Sequence, residues 1–307
     1  MTSGISIERI DCVSQAYAES LLDVILTREN SLPRTYGFEY EFLPDRILNH
    51  DDMSRLYAFL VSAGYRLEKG IHSRGERRIA FEPGGQIEYL SPPLKASDIA
   101  DFDATLEWIQ DMNTMIENET GISYIGTDYI PGRYAAPLLL TSERYSRMHA
   151  RFMKIDTRGP DMMKGTAAIH LHAALTSKED IEKMYPLFCE MASSEDFRMS
   201  GSRREIWNRT DRCRCCLPDV ELENSALSMI ESIVRFVSEA IELQSGERFG
   251  SLEGKNFDDF LVHLTTIFTD VRVNVKFATL ELRTPDSRPL EEFPYLWQQF
   301  VERCESL

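Results

Sequence analysis

Phe81-Glu82-Pro83-Gly84-Gly85-Gln86-Ile87-Glu88-Tyr89 holds two carboxylates on either side of a Pro-Gly-Gly turn, with a carboxamide two residues before the second. Proline fixes φ and glycine admits positive φ, so the turn is strongly specified. From Gln86 to Leu90 polar and apolar residues alternate, which reads as a strand with Gln86 and Glu88 on one face. The turn brings Glu82 back towards that face. Such a set suits a hard cation such as Mg²⁺, and it equally suits a hairpin with a solvated polar face.

Working outward, three further segments repeat the pattern of polar side chains at i and i+2 around an apolar residue. They are Glu39-Tyr40-Glu41, His170-Leu171-His172 and Glu281-Leu282-Arg283. Solvated faces usually carry Lys, Thr and Ser as well. Four pairs drawn from Glu, Gln, His and Arg predict, if the strands are neighbours, a carboxylate-rich sheet face with an imidazole and a guanidinium. That face repels itself unless cations neutralise it.

The rest of the chain supplies helices. Apolar spacing predicts them over 7–28 (through Ile10, Val13, Ala16, Leu21, Val24 and Ile25), 51–63 with an Asp cap and a stop at Gly64, and 97–119 stopping at Gly121. Others are expected over 143–154, broken by Arg158-Gly-Pro-Asp161, and over 178–192, 220–244, 256–268 and 289–304. Short strands are expected within 65–91, at 122–130 before the Pro131-Gly132 turn, at 166–175, and as a hairpin over 271–277 and 279–283. Residues 194–219, rich in charge, Ser and Cys, read as a long loop. No repeat, low-complexity tract or linker interrupts the chain, so one α+β domain over 1–307 is the simplest organisation.

Composition narrows the function. Lys plus Arg is 34 against 50 for Asp plus Glu, a formal charge of −16, which argues against a general nucleic-acid binder. No apolar run approaches a membrane span, and the N-terminal residues lack the pattern of a signal peptide, so a cytoplasmic protein is expected. Six cysteines are sparse for 307 residues and fit a reducing compartment. Cys213, Cys215 and Cys216 form the only cluster, and without Cys-x-x-Cys spacing or a fourth ligand they read as plain thiols rather than a zinc site. There is no G-x-x-x-x-G-K-[ST] loop and no kinase motif set, so any nucleotide would be held by a sheet face and loops.

These motifs resemble the glutamate–cysteine ligases of the plant and proteobacterial type, within the carboxylate–amine ligases that share the glutamine synthetase catalytic fold. Gly37-x-Glu39-x-Glu41 is similar to that family's first metal strand, and Glu82-Pro-Gly-Gly-Gln-Ile-Glu88 to its most distinctive motif. Arg144-Tyr145, Met148, Met162-Met163 and Thr166 to His170 resemble its centre. Arg204 with Trp207, Asp211 and Arg214 resembles its arginine-bearing loop, and Leu280 to Arg283 with Asp286 its final strand.

The resemblance implies a curved, mainly antiparallel sheet with helices on its convex face. It also implies an ATP-dependent ligase joining a small-molecule carboxylate to an amine through an acyl phosphate. Metal ligands would be Glu39, Glu41, Glu82, Glu88, His170 and Glu281, holding two or three Mg²⁺ ions, with Mn²⁺ compatible with the same donors. Arg283 would stabilise the transferring phosphoryl group. Arg204 and Arg214 would clamp nucleotide or substrate, with Trp207 beside the nucleotide. A carrier- or peptide-bound substrate and a homo-oligomer are both open under this reading. Two features depart from the family pattern: His170 stands where Gln is commoner, and Cys216 where Gly is expected. Glutathione synthesis is therefore not implied. Two rival readings use the same residues, a non-catalytic Mg²⁺- or nucleotide-binding protein and a metal-dependent hydrolase.

Overall fold

The computed structural model describes residues 3–27, 33–218, 220 and 225–307, with the side chains of the first helix described from Ser14 onward. Parts of the helices expected over 7–28 and 220–244 (residue 28, residues 221–224 and the side chains of Ile10 and Val13), and the Cys12 thiol, lie outside these residues.

Among the described residues ten antiparallel-paired strands form one sheet. They are β1 (Thr35–Pro44), β2 (Arg66–Glu68), β3 (Ile71–Arg74), β4 (Arg77–Phe81), β5 (Ile87–Leu90), β6 (Leu94–Lys95), β7 (Tyr124–Ile125), β8 (Ile169–Ala174), β9 (Val271–Asn274) and β10 (Thr279–Leu282). The order is β2-β3-β4-β5-β1-β8-β10-β9, with β6 and β7 paired to the two ends of β1. β1 is central because it carries the strictest alternation. Tyr36, Phe38, Tyr40 and Phe42 are buried on one face, while Gly37, Glu39 and Glu41 face the other way and are only half-buried.

Among the described residues the α-helices are α1 (Ser3–Leu26), α2 (His50–Ser62), α3 (Ile99–Thr120), α4 (Glu143–Ile155), α5 (Asp161–Lys164), α6 (Lys178–Ser193), α7 (Gly201–Thr210), α8 (Ala226–Glu239), α9 (Phe257–Leu264) and α10 (Phe293–Glu305). The apolar sheet face packs under α3 and α10. Phe38 meets Phe102, Phe293 and Trp297 at ring-centroid distances of 6.1, 4.9 and 5.5 Å, and Phe102 stacks on Trp297 at 5.3 Å. Each such aromatic pair adds about 0.5–1.5 kcal/mol beyond the burial of its area. A second, smaller apolar cluster joins α4, α5 and α7 through Met148, Phe152, Met162, Met163, Ile206 and Trp207. The protein is therefore α+β, with an antiparallel sheet. Among the described residues no helix is long and apolar enough to cross a membrane.

Four local expectations need correction. The cap of α2 is Asn49, not an aspartate. Its Oδ1 accepts the Asp52 amide at 2.9 Å while Asp52 accepts the Asn49 amide at 3.0 Å, a capping box. Residues 194–219 are not one loop. Ser200 caps α7, whose buried face is Arg203, Ile206, Trp207 and Thr210, and an arginine on the inward side hides the helical period. The strand expected at 122–130 shrinks to β7 because Gly126 packs against the chain at Arg288. A Cβ there would lie 1.9 Å from the Arg288 carbonyl oxygen, so this segment is pinned by a backbone crossing rather than by pairing. The helix expected over 220–244 ends at Glu239, where Ala240 turns extended and Ile241 bridges Arg248.

His72 on β3 gives a pH prediction. Its ring lies 5.1 Å from Tyr57 and 5.9 Å from Phe81, it is buried, and neither ring nitrogen has a hydrogen-bond partner. Burial lowers its pKa. The unfolded chain therefore takes up a proton, as pH falls through about 6.5, before the folded chain does. Stability is lost on the acid side by at most about 1.4 kcal/mol per pH unit from this group. His72→Phe should flatten that acid limb between pH 7 and 5 in urea unfolding. An unchanged slope would show that the ring titrates equally in both states.

Candidate active site

Strand register brings the polar pairs together. Glu39 lies opposite His170, Glu41 opposite Glu88, and Glu281 opposite both His172 and Arg272. Because period-two alternation puts their neighbours in the core, all of these side chains emerge on one face. His170 Nδ1 lies 3.0 Å from Glu39 and 3.7 Å from Glu281, and its Nε2 lies 3.8 Å from Glu41. Two donor sets result, each with ligand atoms within 4.8 Å of one another: Glu39–His170–Glu281 and Glu41–Glu88–His170.

The electrostatics are those of an acid cluster short of positive charge. Burial, followed by Glu39, Glu82 and Glu41, pushes the Glu88 carboxyl well above its usual range. Burial and then Glu82 push Glu41 up to about 8. Burial raises Glu82 to about 7 although Arg144 opposes the shift. Glu39 and Glu281 behave oppositely. Burial disfavours their charge, but the hydrogen bond between His170 and Glu39 with the His172 imidazole 3.8 Å from the same carboxylate, and the Arg272 and Arg283 guanidiniums beside Glu281, outweigh it and hold both low. Burial, then Arg283, lowers His170 to about 4, so its imidazole is neutral and able to donate a lone pair to a metal. Carboxylate oxygens with a neutral imidazole fit Mg²⁺ or Mn²⁺.

The face floors a cavity of about 640 Å³ whose opposite wall is the Met148–Met162–Met163–Trp207 cluster. Glu82 lines it without belonging to either donor set. Arg283 lines it and is bonded to Glu281. Glu39 and Phe277 are shared with a smaller cavity of about 140 Å³, lined also by Gly37, Arg78, Pro92, Pro93 and His172. His172 Nδ1 bonds Thr279 at 3.0 Å, while its buried Nε2 has no hydrogen-bond partner.

Gln86 does not line up with Glu88 as a ligand. Its amide nitrogen donates to the carbonyls of Met163 (3.1 Å) and Thr166 (3.0 Å), and its oxygen accepts the Gly84 amide (2.9 Å). Gly84 lies against α5 so closely that a Cβ would sit 2.5 Å from the Lys164 backbone, and Gly85 has φ of +87°. The Pro-Gly-Gly-Gln segment thus clamps the glutamate-bearing hairpin to α5.

Two expected clamps stand elsewhere. Arg204 makes a bidentate pair with Asp270 at 2.8 and 3.1 Å, and fully buried Arg214 is spent on Asp211, Thr266 and the Ile241 carbonyl; neither lines the cavity. Arg203 lines it instead, held by Asp286 at 2.9 Å and stacked 4.9 Å over Trp207, which also lines it. Arg272 and Asn274, bonded to Glu281 at 2.8 and 3.1 Å, were missed as well. They form a fifth i, i+2 polar pair on β9, so their signal was present; for Arg203 beside Arg204 there was none. Cys213 is exposed, Cys215 buried and Cys216 half-buried, all are free, and none contributes to a possible metal-holding group among the described residues.

No family model matches the chain. Among curated proteins it is 23% identical over 276 residues to glutamate–cysteine ligase A, chloroplastic, of Oryza sativa subsp. japonica, covering 76% of this chain and 54% of that one. It is 24% identical over 322 residues to the chloroplastic glutamate–cysteine ligase of Arabidopsis thaliana, covering 89% of this chain and 59% of that one. This chain is similar to the plant glutamate–cysteine ligases. It spans somewhat over half the length of these curated relatives. A crystal structure described as a novel glutamine synthase homolog aligns over 94% of this chain and 67% of that one at 12% identity, with a TM-score of 0.27, too slight a likeness to weigh.

The clamp can be tested directly. Gln86→Leu keeps the volume but leaves two buried carbonyls and one amide unpaired, each worth about 1–3 kcal/mol. The variant should melt several degrees lower and bind Mg²⁺ more weakly, because Glu82 and Glu88 lose their anchor. Equal melting and equal Mg²⁺ affinity by calorimetry would refute the clamp.

Proposed function

We propose that this protein is an ATP- and Mg²⁺-dependent carboxylate–amine ligase that forms an amide bond through an acyl phosphate. The observation that carries the reading is the pair of donor sets sharing His170 on one sheet face, with Arg283 beside them. The relationship to glutamate–cysteine ligases supports it. We read 1–307 as one catalytic unit with a glutamine synthetase-like arrangement, working in the cytoplasm on small molecules.

Glu39, His170 and Glu281 would hold one divalent cation and Glu41 and Glu88 another, with Glu82 available to either substrate or metal. Bound there, the cations neutralise phosphate oxygens and supply Lewis acidity. The protein's own groups do the rest. Arg283, half-buried beside Glu281, stabilises the transferring phosphoryl group. The small cavity, walled by Phe277, Pro92 and Pro93 and open to Glu39, takes the nucleotide base in this reading. A carboxylate oxygen of the acid attacks the γ-phosphorus, and ADP leaves. The amine nitrogen then attacks the carbonyl carbon of the acyl phosphate, phosphate departs with its bonding pair, and the nitrogen loses a proton. The apolar wall limits competing attack by water. Positioning Arg204 and Arg214 as clamps is not part of this mechanism; Arg203 keeps Arg283 in place by donating to its carbonyl at 2.9 Å.

Phosphate release from ATP should require both a carboxylate and an amine, with the amide seen by mass spectrometry. Glu88→Gln should lower the rate by about 10²–10³-fold. It should also raise the melting temperature without divalent cation, because one of the mutually repelling carboxylates is gone, and reduce the Mg²⁺-induced rise, since only the Glu41–Glu88 cation loses a ligand. Full activity in the variant would sink the site assignment. Tight binding of a non-hydrolysable ATP analogue with no phosphate release for any pair would make the protein a nucleotide binder instead.

A further inference from the structure

We propose that Arg78 and Phe277 form a slot that takes the nucleotide base between guanidinium and ring, with Gly37 leaving open its floor. This rests on the ligase reading above and names the residues that would grip the base. None of the three is a proposed metal ligand or part of the apolar wall.

Strand register places the arginine. Arg78 on β4 lies opposite Leu90 on β5, Leu90 opposite Glu39 on β1, and Glu39 opposite His170 on β8. Facing residues on neighbouring antiparallel strands point the same way, so Arg78 emerges on the carboxylate face, in the row of Glu39. Arg77, next to it in the chain, turns the other way and lies 5.8 Å from the Trp108 ring. Two strand spacings, roughly 9–10 Å between backbones, separate Arg78 from Glu39. Its guanidinium donates from Nη2 to the Ser91 carbonyl at 3.0 Å and pairs with no carboxylate among the described residues. What it faces instead is the Phe277 ring, whose centroid lies 6.0 Å from Cζ. Direct stacking would put the two groups about 3.5–4.0 Å apart, and a flat base between them would need about twice that. The 6.0 Å separation stands between the two values, so a shift of about 1–2 Å by a flexible arginine admits a base. Lys276 Nζ lies 4.8 Å from the same ring centroid, but an ammonium has no plane with which to close a slot.

Arg78, Phe277 and Gly37 all line the small cavity of about 140 Å³. Gly37 sits within extended β1, so its use there is space rather than backbone freedom. A Cβ would already lie 3.3 Å from Ser91 Oγ and 4.0 Å from the His172 Cβ, and a branched side chain would fill the floor. Phe277 is presented by a tight turn. Ala278 beside it has φ of +51°, a conformation that costs a residue with a Cβ and recurs at ligand sites. Asn274 ties this turn to the carboxylate face: its Oδ1 accepts the Phe277 amide at 3.3 Å, and its Nδ2 donates to Glu281 at 3.1 Å. A base held against Phe277 is therefore in fixed register with Glu281. Glu39, which lines both cavities, marks the path by which the phosphates reach the proposed cations.

The test uses the full chain with Mg²⁺ and two probes titrated by calorimetry: a non-hydrolysable ATP analogue, which carries the base, and inorganic tripolyphosphate, which does not. Arg78→Ala and Phe277→Ala should each weaken binding of the analogue about tenfold or more, the loss of one stacking partner, and leave tripolyphosphate affinity unchanged. Arg78→Lys, which keeps the charge but not the plane, should not restore the analogue. Gly37→Val should give the same one-sided loss by filling the floor. Phe277→Leu, which keeps a bulky apolar side chain without the aromatic face, takes the place of Phe277→Ala if that variant melts below the wild type. Equal losses for both probes in an Arg78→Ala chain that melts like the wild type would make the arginine a phosphate contact and overturn the slot. So would full recovery in Arg78→Lys, or an analogue affinity that none of the variants changes; each of these leaves the ligase reading standing. Failure of the wild-type chain to bind either probe overturns both.

Discussion

Everything in this structure is arranged around one electrostatic liability: at least five carboxylates, on or beside one face of a single sheet, with too few cations to neutralise them. Glu39 and Glu281 are held ionised by His170, His172, Arg272 and Arg283, whereas Glu41, Glu82 and Glu88 are pushed upward by burial and by one another. Stability alone would not select such a face. The cost is understandable if the face is completed by divalent cations and phosphates, which turn mutual repulsion into shared coordination. His170 is the hinge of the arrangement, since it reaches both donor sets and stays neutral.

A face under that repulsion must be held from behind. The opposite side of β1 does this with Tyr36, Phe38, Tyr40 and Phe42, packed under α3 and α10. Alternation on one strand thus fixes both the strongest packing and the strongest repulsion. The Glu82–Glu88 hairpin needs a further anchor because it approaches from a tight turn. Gln86 and Gly84 provide it by seating the turn on α5. The same α5, with α4 and α7, builds the apolar wall, so the clamp that places two glutamates also sets the height of the cavity.

The arginines illustrate how charge is distributed by tertiary contact rather than by sequence. Arg203 and Arg204 are neighbours in the chain, yet one stacks on Trp207 in the cavity and the other is tied to Asp270 away from it. Helical geometry turns adjacent side chains about 100° apart, so only one can face the site. Arg214, which the family resemblance placed at nucleotide or substrate, is instead a buried brace between α7 and the 241–268 segment, held by Asp211, Thr266 and Ile241.

The sequence by itself determined the carboxylate-rich face as a set of candidate metal ligands. Glu39/Glu41, Glu88, His170 and Glu281/Arg283 were legible because a strand's period of two leaves its mark in any half-buried sheet, and the Pro-Gly-Gly turn fixed the hairpin locally. Most helices were legible from their apolar spacing, and failures came where that signal was masked: α7 by its buried arginine, the segment after β7 by a backbone crossing at Arg288. What only the tertiary structure decided was partnership. Strand order put β9 beside β10 and so brought in Arg272 and Asn274, long-range hydrogen bonds turned Gln86 from a candidate contact into a clamp, and packing chose Arg203 over Arg204. Local periodicity reports which face a side chain takes; which groups meet it there depends on contacts between segments far apart in the chain, and no local pattern encodes those.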